Sequence, residues 1–277
     1  MRLFGLDFTS APGRRKPITC AECQLGGDAL TLTRLRHFTD FAQFEAFLRT
    51  PGPWLAGFDF PFGQPRCLIE ALGWHQSWPD AVRHIAALGK TGFEASIRRY
   101  RNSQPPGRKH PRRATDIPAN AVSPLMLAGV PVGKMFFQGA PRLLAAGLSI
   151  LPCHPTPDSR IAFEAYPALV ARHFIGPRSY KSDTRRKQTP HHTATRRDLL
   201  AALRSPALAP QYGLTLRLNN AQADALTADA SGDSLDAVLC AIQTAWAASQ
   251  PNHGHPPHAD PLEGWIIDPA LLYCPRA

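Results

Sequence analysis

Gly5-Leu-Asp7-Phe8 and Gly57-Phe-Asp59-Phe60 carry the same text: a glycine two residues before an aspartate, with a phenylalanine after it. Each lies in an apolar run, Arg2 to Thr9 and Trp54 to Pro61, of the kind that forms a buried strand. Side chains alternate along a strand, so Leu3, Gly5 and Asp7 share one face while Phe4, Leu6 and Phe8 take the other. Between the two runs lie turn residues at 10–15, a strand from Pro17 to Leu25, a turn at Gly26-Gly27-Asp28 and a strand from Ala29 to His37. Three strands joined by tight turns predict an antiparallel meander. Asp40 then caps a short helix that turns Phe41, Phe44, Phe47 and Leu48 inward. A helix between strands implies a crossover, which sets the strand from Trp54 parallel to the first. If the two are neighbours, their carboxylates stand roughly 5 Å apart across the sheet. The glycines leave space there for a ligand or a close-packed helix. One aspartate at a strand end commonly does no more than start a turn; two matching copies on adjacent strands say more.

A third acidic stretch comes late in the chain. From Gly232 to Ala248, Leu235, Val238, Leu239, Ile242 and Trp246 recur at helical spacing, which predicts an amphipathic helix. Ala237, Ala241, Ala245 and Ala248 form a second face that allows close approach. Asp233 suits an N-cap. Asp236 lies within the first turn, where a cap cannot use it, and a carboxylate so placed needs a cation. Glu164, at the end of an apolar strand that closes on Tyr166-Pro167, is a further candidate.

From Gln64 to about Pro157 the alternation stops, which predicts a long insertion, largely helical, in a single domain spanning 1–277 whose core is 1–63 and 158–277. Within it Arg98, Arg99, Arg101, Arg108, Lys109, Arg112 and Arg113 occur with no acidic residue between Ser96 and Ala114. A second basic tract from Arg172 to Arg197 includes Arg178, Lys181, Arg185, Arg186, Lys187, Arg196 and Arg197. Basic loops are often merely solvated. Here the two tracts hold almost half of the lysines and arginines of a chain with net charge +10, so an anionic polymer is the expected partner.

Other patterns carry less. Gly89-Lys90-Thr91 lacks the upstream glycine of a phosphate loop, since His84 stands there. Cys20 and Cys23 have metal-knuckle spacing without a second pair, and on a strand they point to opposite faces. His191, His192, His253, His255 and His258 lie in proline-rich segments where nothing fixes a metal geometry. No charged-then-apolar leader and no apolar run long enough for a bilayer are present, and the six cysteines form no disulfide framework. A cytoplasmic protein with no membrane contact is expected, and nothing in the sequence indicates a protein partner.

Asp7, Asp59 and Asp236, with Asp233 and Glu164, are hard oxygen donors converging on one end of a sheet. Like charges so close oppose ionisation, and Mg²⁺ or Mn²⁺ resolves the conflict. Two such ions can cleave a phosphodiester while the basic tracts hold the backbone without reading bases. The meander, crossover helix, parallel strand and late acidic helix resemble the ribonuclease H-like fold. More narrowly, Gly-Leu-Asp7, Phe-Asp59-Phe-Pro-Phe-Gly63, Glu164-Ala-Tyr-Pro167 and Gly-Asp233-Ser-Leu-Asp236-Ala resemble the predicted-nuclease family called domain of unknown function 429. That resemblance implies an α/β ribonuclease H-like mixed five-stranded sheet in the order 3-2-1-4-5, with flanking helices and the insertion after the fourth strand. It implies a metal-dependent nuclease whose acidic positions are Asp7, Asp59, Asp233, Asp236 and Glu164, with Lys181 at a basic position. The arginine run from Arg98 to Arg113 lies outside the pattern. A glutamate on the helix after the meander, as in ribonuclease H itself, could only be Glu45. The competing readings are a phosphotransferase or ATPase of the same fold, which would need glycine-rich phosphate turns, and a nucleic-acid-binding module with a degenerate site.

Overall fold

A computed structural model describes residues 1–272. The meander forms as the turn chemistry predicts: β1 (Arg2–Asp7), β2 (Ile18–Gly26) and β3 (Ala29–Phe38) pair antiparallel. Asp40 caps α1 (Phe41–Leu48), its carboxylate accepting from the Gln43 amide at 2.8 Å. The chain returns as β4 (Trp54–Asp59), parallel to β1, in a register that sets Gly5 opposite Gly57 and Asp7 opposite Asp59. Helices α2 (Arg66–Ala71), α3 (Trp78–Ala87), α4 (Gly89–Ser103) and α5 (Val132–Ala145) follow. Then come β5 (Ser149–Leu151), β6 (Arg160–Glu164), α6 (Pro167–Ile175), α7 (Pro190–Leu203), α8 (Leu208–Tyr212), β7 (Thr215–Arg217), α9 (Asn220–Ala228) and α10 (Asp233–Ser249).

The fold is α/β, a seven-stranded mixed sheet flanked by helices, with strands in the order β5-β6-β4-β1-β2-β3-β7. The expected five-stranded order 3-2-1-4-5 gives way in two respects. A three-residue strand extends each edge, and β4 is bordered by the sixth strand of the chain rather than the fifth. Three-residue strands are too short to leave a period in the sequence. Among the described residues no helix is long and apolar enough to cross a membrane.

Two cores lie on opposite faces of the sheet. Phe4, Leu6, Phe8, Phe44, Phe47, Trp54 and Phe58 belong to one, with many aromatic contacts between them. Leu3, Leu55 and Phe163 belong to the other, with α10. Cys20 falls in the first and Cys23 in the second, as strand alternation requires.

The amphipathic reading of α10 is corrected. From Asp233 to Ala247 every residue is buried, because the helix is covered on its outer side by α6, α8 and α9 as well as lying on the sheet. Its small-residue face is the one set against β1 and β4. A Cβ on Gly5 would stand 2.0 Å from the Ala237 carbonyl and 2.2 Å from the Ala241 nitrogen; one on Gly57 would stand 2.4 Å from Thr244 Oγ1. The two glycines are therefore where the helix backbone rests on the sheet. The Ala237 and Ala241 contacts are backbone and cannot rotate away, so Gly5→Ala is expected to destabilise the protein by roughly 1–3 kcal/mol or more. Denaturant unfolding measures it, and a loss below about 0.5 kcal/mol, the level of an ordinary surface change, would contradict this packing.

Candidate metal centre

The register of β1 with β4 and the seating of α10 bring three carboxylates together. One oxygen each from Asp7, Asp59 and Asp236 can be chosen so that all lie within 4.8 Å of one another. Asp7 and Asp236 are buried and Asp59 is partly buried. Asp7 Oδ2 is shielded from water and has no hydrogen-bond partner among the described residues. Burial, then the charge of Asp233, pushes the Asp7 carboxyl well above the usual range. Burial, then Asp236, raises Asp59 to about 7.

Asp236 is the better-held member. The Tyr180 hydroxyl donates to Oδ1 and the Lys181 ammonium to Oδ2. Burial and then Asp236 keep the tyrosine protonated and so a donor. Burial opposes the charge on Lys181, but Asp236, Tyr180 and Asp7 outweigh it and raise its pKa. The segment is fixed from behind by Arg196, which is buried and donates to the Tyr180 carbonyl at 2.7 Å and to Thr227 at 2.8 Å.

The other expected ligands have different partners. Asp233 is not the N-cap: Gly232 takes that position at φ 76°, and Asp229 accepts from the Ser234 amide instead. The Asp233 carboxylate accepts from Lys16 Nζ at 3.1 Å, and Lys16 also reaches Asp183 at 2.6 Å. Glu164 faces Arg113, which donates to its two oxygens at 2.8 and 2.6 Å, and Oε2 also accepts from the Phe62 amide at 2.8 Å. Arg113 grips Asp116 as well, at 2.7 and 3.0 Å. Arg113, Asp116 and Glu164 are at most 2 % exposed, so this is a satisfied buried ion network. Arg113 is thereby removed from the expected nucleic-acid-binding set, since a guanidinium spent on two buried carboxylates cannot reach a polymer. Glu45 pairs with Arg142 at 3.0 Å, away from the cluster.

The rest of the basic tracts lie on the surface. Arg98 and Arg99 are exposed on α4 and Arg101 is partly so, with Arg98 paired to Glu94 at 2.6 Å. Arg108, Lys109 and Arg112 are exposed in the loop leading to Arg113. Arg185, Arg186 and Lys187 form an exposed 3₁₀ turn a few residues beyond Lys181. Two of the histidines have structural places: the His192 ring completes a capping box with Thr189, and His255 is buried near Phe163. Lys16, Tyr180 and Asp116 are the site residues that sequence reasoning missed: Lys16 and Tyr180 act on carboxylates far along the chain, and Asp116 matters only through an arginine that also reaches Glu164.

Residues 5–261 match a family model described as Protein of unknown function (DUF429). No curated protein and no solved structure matches the chain.

The raised carboxylates make stability depend on pH. Asp59 takes its proton at about 7 when folded, against 3.8 for the ordinary group. Between those values the folded chain binds more protons than the unfolded one. Its contribution is therefore fully present below the unfolded value and lost as pH rises through the folded one. In chelator the protein is expected to melt higher at about pH 5.5 than at about pH 8, and Asp59→Asn to shrink the difference. Asp7→Asn and Asp59→Asn should leave stability at about pH 8 unchanged or raised, by relief of repulsion. Asp236→Asn should lower it, because one acceptor oxygen and the negative charge facing Lys181 are lost, leaving Tyr180 and Lys181 to compete for the oxygen that remains. Thermal melts decide this, and three equal losses would mean that the cluster is purely structural.

Proposed function

We propose, for a chain that belongs to the DUF429 family, that it is a divalent-cation-dependent hydrolase of phosphodiesters, a nuclease working at the carboxylates of Asp7, Asp59 and Asp236. The observation that carries this reading is the convergence of three carboxylates from two strands and a helix, with Asp7 Oδ2 buried and without a partner among the described residues. A fold keeps such an arrangement against its own repulsion where function requires it. The donor set is all oxygen, which suits Mg²⁺ or Mn²⁺. Further support comes from topology. A meander, a crossover to a strand parallel to the first, and acidic residues on both of those strands and on a late helix resemble the ribonuclease H-like plan.

One cation fits better than two. Asp233 and Glu164, the further ligands that a second ion would need, are held by Lys16 and by Arg113. When bound, the cation supplies a Lewis acid for a phosphoryl oxygen and a water of lowered pKa. The chain's own residues do the rest. Lys181, anchored on Asp236, sets a positive charge beside the cluster where phosphate charge must be neutralised. Tyr180 and Arg196 fix the backbone that carries it. The exposed turn of Arg185, Arg186 and Lys187 supplies sequence-independent attraction for the phosphate backbone.

Two measurements test the proposal. Mn²⁺ is expected to raise the melting temperature of the parent by mass action and to support cleavage of an oligonucleotide. Asp7→Asn or Asp59→Asn should remove both effects. A parent that gains nothing from Mn²⁺ or Mg²⁺ sinks the reading. Separately, replacing Arg185, Arg186 and Lys187 with glutamine should flatten the slope of log affinity against log salt by about 2–3 if all three contact phosphates. An unchanged slope would mean that this turn faces away from the polymer.

A further inference from the structure

Beside the carboxylates lies a cavity of about 280 Å³. Asp59, Asp236 and Lys181 form part of its lining; Val122, Val130, Met135 and Tyr166 supply apolar surface. Arg113, Asp116 and Glu164 also reach it, but they satisfy one another. The charges left for a ligand are therefore those of the carboxylate cluster and Lys181.

The apolar wall is not explained by folding. Val122 and Val130 are 44 % and 58 % exposed, and with Met1 and Ile117 they are the exposed large apolar side chains among the described residues. All but Met1 belong to one segment, between Asp116 and α5. Scattered exposed valines need no explanation, but two lining the same small cavity beside a charged site mark a binding surface. The volume sits at the bottom of the range for small-molecule sites, enough for one ring system. The Tyr166 hydroxyl makes no hydrogen bond among the described residues, which leaves it for a ligand's polar edge.

We infer that this cavity takes a single unpaired nucleobase, whose attached phosphate lies at Asp7, Asp59, Asp236 and Lys181. The inference rests on the hydrolytic reading above and narrows its substrate to single-stranded or extruded nucleotides. A base offers flat apolar faces to the valines and to Tyr166 and polar atoms at its edge, and stacking of this kind tolerates any base. A base held in a duplex must first leave its stack, at a cost of a few kcal/mol, so duplex is the poorer substrate.

The experiment uses the full-length protein with Mn²⁺ and short oligonucleotides carrying the fluorescent base 2-aminopurine: single-stranded DNA, single-stranded RNA, the DNA duplex, and the free mononucleotide. The substitutions Val122→Ser and Val130→Ser, made together at exposed positions, spare the core and add no charge beside the carboxylates. The single strands are expected to bind with a fluorescence change and about tenfold or more above the duplex, as the loss of one stacked base implies. The double variant should lose the fluorescence change and about tenfold in affinity while its Mn²⁺ affinity, read by titration calorimetry, stays the same. Binding by the mononucleotide alone would assign the cavity to free nucleotides; binding by the strands assigns it to polymer. Equal affinity for duplex and single strand, an unaltered double variant, or no binding by any probe would overturn the inference. Cleavage is read in parallel. Binding as expected without cleavage leaves the base site standing and sinks hydrolysis; cleavage that ignores strandedness and the double variant does the reverse.

Discussion

The contact on which the rest depends is that of α10 with Gly5 and Gly57. Without side chains at those two positions, the helix backbone descends onto the sheet beside the ends of β1 and β4. That descent sets Asp236 against Asp7 and Asp59, which the strand register has already placed side by side. Any side chain at Gly5 would lift the helix, and Asp236 with it. The same small-residue packing explains why the helix is buried all round: its sheet side is closed by proximity and its outer side by α6, α8 and α9.

The protein buries acid in two ways, and the contrast is informative. Glu164 and Asp116 share one arginine, with a backbone amide completing the set, so every charge has a counter-charge at hydrogen-bond distance. Removing Arg113 would leave two buried carboxylates unpaired, which typically costs about 3–5 kcal/mol; that is the behaviour of a structural element. It ties the segment before α5 to the end of β6. The Asp7–Asp59–Asp236 group has one ammonium, held chiefly by Asp236, and leaves an oxygen of Asp7 without a hydrogen bond among the described residues. A purely structural cluster would have been completed in the manner of the first.

What could be read from the sequence was whatever repeats over a short distance. The period of two in β1 and β4, together with their duplicated glycine–aspartate text, placed Asp7 and Asp59 correctly on one face. Asp40 announced α1 by capping chemistry that acts over three residues. The edge strands β5 and β7 were missed because three residues cannot display a period. The stripe of Leu235, Val238, Leu239, Ile242 and Trp246 predicts an amphipathic α10, but the polar residues off that stripe are buried as well: Gln243 hydrogen-bonds Tyr166 and Asp268, and Thr244 donates to backbone carbonyls. A run of arginines gives no sign of which one turns inward, so in the sequence Arg113 is indistinguishable from its exposed neighbours.

The inward turn of Arg113 bears on how charge and function are connected here. The net charge of +10 favours an anionic polymer, but attraction of this kind is long-ranged and indifferent to where on the surface it acts. Placement comes from the short-range features: the ammonium of Lys181 held on Asp236, and the valines that stand in water beside it. The first is the cation that the proposed reading sets against a phosphate. In the nucleotide reading proposed here, the second is covered by the base joined to that phosphate. Charge and apolar surface, taken together within one cavity, thus restrict the ligand more than either does alone, and a nucleotide with its base out of the stack meets both conditions.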